Sequence, residues 1–234
     1  MAKKNLKKGK QEEVIDLGSQ LTKAEAFFEK NGKLIVGVII LIILVAIGLW
    51  FMRSCNADKE HDAQNAISLS QKAFESGQYE EALNGNKSTS IGFLKVMDEY
   101  SGTKTANLAK LYAAICYFEL GKTDEAVKQL QGYENAGDNT ISPTATEMLG
   151  NLMVAKGDKA GGAAKLEEAA RSADNESLSP IFLRQAAIIY ENLKQPEKAL
   201  ELYKEIKSKY PQCPLCQGES NGSLIDTYIE RVSK

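Results

Sequence analysis

The sequence predicts an all-α protein in which a single N-terminal transmembrane helix is followed by an α-solenoid of about four helix pairs. Three observations predict it. Residues 34–52, LIVGVIILIILVAIGLWFM, run for 19 residues without a charge or a strongly polar side chain. Beyond residue 57, apolar residues recur at helical spacing and short Gly-containing breaks punctuate them. Several of those stretches align with one another, and self-similarity at a period of roughly 20–50 residues marks a stacked-repeat architecture.

The composition sets the frame. Of 234 residues, 43% are hydrophobic and 26% charged, ordinary for a globular chain long enough to bury a sizeable core. The net charge of −2 conceals a division: residues 1–33 carry eight Lys against five acids, whereas residues 54–234 carry 20 basic and 26 acidic side chains. An acidic domain repels phosphate backbones, so nucleic acid is not an expected partner. The basic tail suits the anionic face of a membrane.

Residues 1–33 form the first segment, a basic cytoplasmic tail. Within it Thr22 and Glu25 have capping-box spacing, with Leu21 and Ala26 placed for a hydrophobic staple. Ala24, Phe27 and Phe28 then give a short amphipathic helix that lies at the cytoplasmic interface or runs into the membrane helix. Residues 34–52 are the transmembrane helix. At 1.5 Å per residue they span roughly 28 Å, close to the hydrocarbon thickness of a bilayer. A buried core helix of this length would carry a polar stripe, and none is present. A cleaved signal peptide would have a shorter apolar run ending in small residues, whereas this run ends in Trp50, Phe51, Met52 and Arg53. Arg53 and Ser54 likewise do not make a lipobox before Cys55. Lysines at 3, 4, 7, 8 and 10, with Lys30 and Lys33 beside the helix, orient the tail to the cytoplasm and translocate the large domain. Residues 53–62 are a linker.

Residues 63–211 hold the repeats. Segments 108–133, 144–170 and 181–211 align, and 69–83 is a more distant copy. Where the first helix of each pair (A) meets the second (B), a small residue recurs: Ala114, Gly150 and Ala187. Three residues on stand Tyr117, Met153 and Tyr190. The turn carries Gly77, Gly121 and Gly157, with Lys194 in the last copy. Early in helix B stand Ala82, Ala126, Gly162 and Ala199. The turns lie 44, 36 and 37 residues apart, against about 34 for an ideal repeat. These positions, with Pro211 closing the last copy, resemble the tetratricopeptide-repeat (TPR) family, which implies a TPR-type α-solenoid. After Leu83 the polar run NGNKSTS, residues 84–90, reads as a loop insertion in helix B of the first copy. Residues 212–234 are an irregular extension with a final helix over 224–232 that caps the solenoid.

Chemistry-bearing residues are sparse, and no enzyme is expected. The one histidine, His61, reads as a solvated surface residue. No nucleotide loop or catalytic constellation stands out, and no cofactor, metal or small-molecule substrate is expected. Cys213 and Cys216 have the C-x-x-C spacing and are a candidate disulfide; free thiols and redox use stay open alternatives. Two cysteines fall short of a four-ligand zinc site, and four in all are too few for a disulfide scaffold. Cys116 lies among core positions as a small hydrophobe.

The order of parts narrows the resemblance. A Lys-rich tail, FFEKNGK (27–33), one span and the stretch GFLKVMDEYSGTKTANLAKLYAAICYFELGKTDEAVKQL (92–130) are similar to the ancillary SecYEG translocon subunit family, in its Bacteroidetes-type form. That resemblance implies a non-enzymatic adaptor in the bacterial inner membrane with its TPR domain in the periplasm. Its implied partners are the SecYEG translocon, a periplasmic chaperone, emerging secretory clients and membrane lipid. A scaffold for another envelope or secretion complex is the alternative. The candidate protein-binding groove, made by the A helices, comprises Leu111, Ile115 and Phe118, then Glu147, Asn151 and Val154, then Arg184, Ile188 and Glu191; internal packing of several of these is the rival expectation. Leu111 and Glu147 stand where a carboxylate clamp needs a cation, so no such clamp is expected.

Overall fold

The computed structural model describes residues 17–86, 90–218 and 222–234, without the side chains of 17–31, 35, 46 and 48–56. The chain divides into two compact units, Met1–Cys55 and Asn56–Lys234. All regular structure among the described residues is helical: α1 (Leu17–Glu75), α2 (Tyr79–Asn84), α3 (Phe93–Glu99), α4 (Lys104–Glu119), α5 (Thr123–Gln131), α6 (Ile141–Ala155), α7 (Lys159–Ala173), α8 (Ser179–Asn192), α9 (Pro196–Lys209) and α10 (Leu224–Val232).

In the first unit the chain is helical from Leu17, the first described residue. A helix start at Thr22 is therefore not found: residues 19–31 contain no Gly or Pro to interrupt the helix. The side-chain capping contacts expected of Thr22 and Glu25 lie outside the described residues. In the apolar run, Leu34, Val36, residues 38–45 and Ile47 are 47–68% exposed, so these residues bury little of their apolar surface. Over the described residues no helix is long and apolar enough to cross a membrane; Ile35, Ala46 and residues 48–52 of the expected span lie outside the described side chains. Residues 53–62, expected as a linker, are instead part of α1. The reason is visible in the sequence, which has no Gly or Pro between Gly48 and Gly77.

In the second unit four helix pairs follow one another: the end of α1 with α2, then α4 with α5, α6 with α7, and α8 with α9. The four A-to-B turns share one hydrogen-bond pattern. The N–H groups of Gly77, Gly121, Gly157 and Lys194 donate to carbonyls three residues back, and those of Gln78, Lys122, Asp158 and Gln195 to carbonyls five back. This is the Schellman closure, which requires a left-handed residue after the helix. The three glycines have φ of 72°, 72° and 99°, and Lys194 takes 60° despite its side chain.

Small residues let each A helix meet its B helix. Ala114, Ala187, Ala82, Ala126 and Ala199 are fully buried. The approach of α6 on α7 is close: a methyl group added to Gly162 would lie 2.5 Å from the Gly150 carbonyl oxygen. Around these contacts lie three apolar clusters. The first joins Ile67, Leu83, Phe93 and Val96 to Ala109 and Cys116. The next joins Leu111, Leu130, Leu149 and Leu152, and the last joins Leu166, Leu183, Tyr203, Ile206 and Ile225.

The polar insertion is present as expected, with 87–89 outside the described residues. Its ends are pinched together: Asn86 N–H donates to the Ser90 carbonyl at 2.9 Å, and the Ser70 and Ser90 hydroxyls meet at 2.9 Å in a buried position. Phe93, stacked on Tyr112 at 5.1 Å, then returns α3 to the core. The final helix is also as expected. A Ser223–Asp226 capping box starts α10, and Ile225, Tyr228, Ile229 and Val232 pack it onto the last cluster.

Candidate functional site

Two of the A helices, α4 and α6, are held at their N-termini by carboxylates. On α1, Glu60 accepts from the Lys104 and Thr105 N–H groups at 2.7 and 3.2 Å and from the Thr105 hydroxyl at 2.6 Å, capping α4 from outside. Burial alone would raise the Glu60 pKa, but these hydrogen bonds hold it below the usual value. Asp138 does the same for α6, accepting from the N–H groups of Thr140 and Ser142 and from the Ser142 hydroxyl. Those bonds outweigh its desolvation and hold its carboxyl at about 2. Such anions satisfy the orphan N–H groups and the positive end of the helix dipole.

The candidate groove residues then divide into two sets. Phe118 at 47% and Ile188 at 38% exposure face solvent, as does Asn151, which donates to Glu147 at 2.6 Å. Ile115 and Val154 are half-buried. Leu111 is not a groove residue: it is 8% exposed and packs among Ala126, Leu130 and Leu149. The A-helix spacing that placed it on the face places it equally well on the joint with α5. Glu191 is committed elsewhere, accepting from the Tyr203 hydroxyl at 2.6 Å and from Arg231 at 2.7 and 3.1 Å. Burial would raise its pKa, but these donors hold it low. It ties α8 to α9 and α10 and thereby serves the cap.

Arg184 is half-buried, and among the described residues its guanidinium has no hydrogen-bond or ion-pair partner; its buried Nε is unsatisfied. Two apolar residues that the spacing argument passed over share the exposed set: Ile181, 42% exposed and seven residues before Ile188, and Ile141 at the start of α6, 46% exposed. The i, i+3, i+7 relation of Ile181, Arg184 and Ile188 was the available signal.

The cysteines do not form the candidate disulfide here. Cys213 and Cys216 are free thiols with their sulfurs 3.1 Å apart, against about 2.05 Å for a bond. Burial and the hydrogen bond with Cys213 push the Cys216 thiol up to about 12. Cys116 is fully buried, and burial raises its thiol to about 12. His61 is exposed beside Asn65. Among the described residues no group of three or more His, Cys, Asp or Glu side chains could hold a metal ion.

Stacked helix hairpins, closed by the same turn and leaving part-exposed side chains on their A helices, define a helical-repeat protein of the kind that binds other proteins. Residues 25–169 match the tetratricopeptide repeat-like domain family, and residues 182–212 match a tetratricopeptide repeat. The chain belongs to the tetratricopeptide repeat-like domain family. Its repeats are of a typically non-catalytic, protein-interacting type, and no catalytic family is indicated. A search of the curated proteins finds no significant relative. Among solved structures the chain is similar to the MamA protein, at 16% identity and a TM-score of 0.51, over 73% of this chain and 86% of that one. It is also similar to a protein from Podosopora anserina described as a kinesin light chain with nearly identical TPR-like repeats. That match has 16% identity and a TM-score of 0.51 over 74% and 86% of the two chains. At such identities the likeness concerns the fold alone.

Proposed function

We propose that this chain is a non-enzymatic TPR adaptor anchored in a bacterial inner membrane by residues 34–52. In this reading the TPR domain is periplasmic and presents its A-helix face to a chaperone or to secretory proteins emerging from the SecYEG translocon. The observation that carries the anchor is the exposure, between 47 and 68%, of the described large apolar side chains from Leu34 to Ile47. Left in water, such a surface is unfavourable by about 25 cal/mol for every Å²; lipid removes that penalty. The Lys-rich tail supports the orientation. The family match begins at residue 25, ahead of the apolar run, which supports treating run and repeats as one architecture. The translocon assignment rests on the resemblance of residues 27–33 and 92–130. Tethering would raise the effective concentration of the binding face beside other membrane proteins.

Two measurements test this. Alkaline carbonate washing of bacterial membranes should leave the chain in the pellet; its release as intact protein would remove the anchor. Purification in mild detergent should recover SecYEG components. Recovery of a different envelope assembly in their place would favour the scaffold alternative.

A further inference from the structure

Between the start of α8 and the segment that follows α9 lies a cavity of about 420 Å³. Pro180, Ile181 and Arg184 line it from α8, and Gln212, Pro214 and Leu215 line it from the segment after α9. Its size suits one large side chain with its flanking backbone. Ile181 is 42% exposed, so the wall is open to an incoming group. Arg184 is the chemically informative residue. A guanidinium offers five N–H donors, yet this one has no acceptor among the described residues and its buried Nε is unsatisfied. Nearby arginines are used: Arg171 pairs with Glu167 and Arg231 with Glu191. A half-buried, unspent guanidinium beside apolar walls is complementary to an anion that arrives with an apolar group attached.

We infer that this cavity is the anchoring subsite of the binding face, taking from an extended segment of a partner protein an aliphatic side chain followed by a carboxylate. The inference rests on the protein-binding reading and specifies its ligand. Ile181, Arg184 and Ile188 lie on one face of α8, so a segment seated in the cavity continues along the face past Ile188. One planar guanidinium matches a carboxylate in bidentate geometry. Glu176 also lines the cavity and disfavours multiply charged anions more than a single carboxylate, and among the described residues no lysine lines it. The subsite differs from a clamp of several cations spread over different repeats, because a single arginine and its apolar neighbours do the selecting.

The test uses the full chain in mild detergent and two short synthetic peptides, acetylated and amidated at their ends, carrying Leu followed by Glu or Leu followed by Gln. Binding is read by fluorescence anisotropy. The Glu peptide should bind about tenfold more tightly than the Gln peptide. Arg184→Gln should abolish that preference while leaving the weaker binding of the Gln peptide, and Arg184→Lys should restore part of it. Ile181→Ala, at an exposed position, should weaken both peptides and preserve their ratio. Equal binding of the two peptides by the unmodified chain, persistence of the preference in Arg184→Gln, or no binding of either at concentrations on the order of millimolar would each overturn the proposal. Failure here with protein crosslinks still formed at Phe118 and Ile188 would remove the subsite alone; loss of those crosslinks would remove the protein-binding reading beneath it.

Discussion

Gly162→Ala sets helix propensity against packing, and the two act with opposite signs. An alanine in a helix interior is favoured over glycine by about 1 kcal/mol, and less near the first turn, where Gly162 lies in α7. Against this, the new methyl group would collide with Val154 Cγ2 and stand 2.5 Å from the Gly150 carbonyl oxygen. The valine can rotate, but the carbonyl belongs to the backbone of α6. The two helices must therefore part at their closest contact, and overpacking of this kind costs about 1–3 kcal/mol. The net expectation is destabilisation by about 0.5–2 kcal/mol, or a fall in Tm of about 1–8 °C for a chain of this size. Gly150→Ala, whose methyl would lie 2.9 Å from the Gly162 carbonyl oxygen, should act in the same direction more weakly. Urea unfolding of the full chain in mild detergent, followed by helical circular dichroism, measures both. A Gly162→Ala variant more stable than the parent would refute the close-packing account of the repeat.

Other expectations follow from the turns, the cap and the thiols. Lys194→Gly relieves a left-handed backbone at φ 60°; a rise in stability of about 0.5–1 kcal/mol, after the entropy glycine adds to the unfolded chain, should appear in the same unfolding assay. Glu191→Gln should loosen α10 by about 1–2 kcal/mol, seen as faster amide hydrogen exchange in Leu224–Val232 with α6 unaffected. Because the Glu191 carboxyl is held below 4.5 in the folded state, its contribution is complete above that pH and is lost as the pH falls through the lower folded value. Asp226, held low by Lys207 and Ser223, has the same sign, so α10 should undock in acid before the central helices unfold; unchanged exchange in acid would count against the network. Cys116 and Cys216, both raised to about 12, should react with iodoacetamide at pH 8 at least tenfold more slowly than a free thiol near 8.5, as read by peptide-resolved mass spectrometry.

Much of this architecture was legible because the repeat writes the same physical demand several times. Gly77, Gly121 and Gly157 mark the turn, and alignment with them places Lys194 at the same position, whose left-handed backbone the structure reveals. Gly150 and Gly162 likewise announce a close backbone approach. The groove was less legible because residues sharing one face of an A helix differ in what covers them along its length. Leu111 and Phe118 stand seven residues apart on α4, yet one is buried against α5 and its neighbours and the other is open. Long-range polar contacts left no local signal at all. Glu60 caps α4 from more than 40 residues away, and Arg231 reaches Glu191 across a comparable separation. The 53–62 segment misled in the opposite direction: its polarity suggested a linker, but without Gly or Pro it continues a helix.

The account depends most on the A-helix face being where other proteins bind. A photoreactive amino acid placed at Phe118 or Ile188, and separately at the exposed B-helix positions Ala164 and Lys204, tests this in intact cells. The two A-helix positions should capture the same polypeptide in good yield, with little from either B-helix position. Equal capture from all four positions, or capture from the B-helix positions alone, would contradict the account.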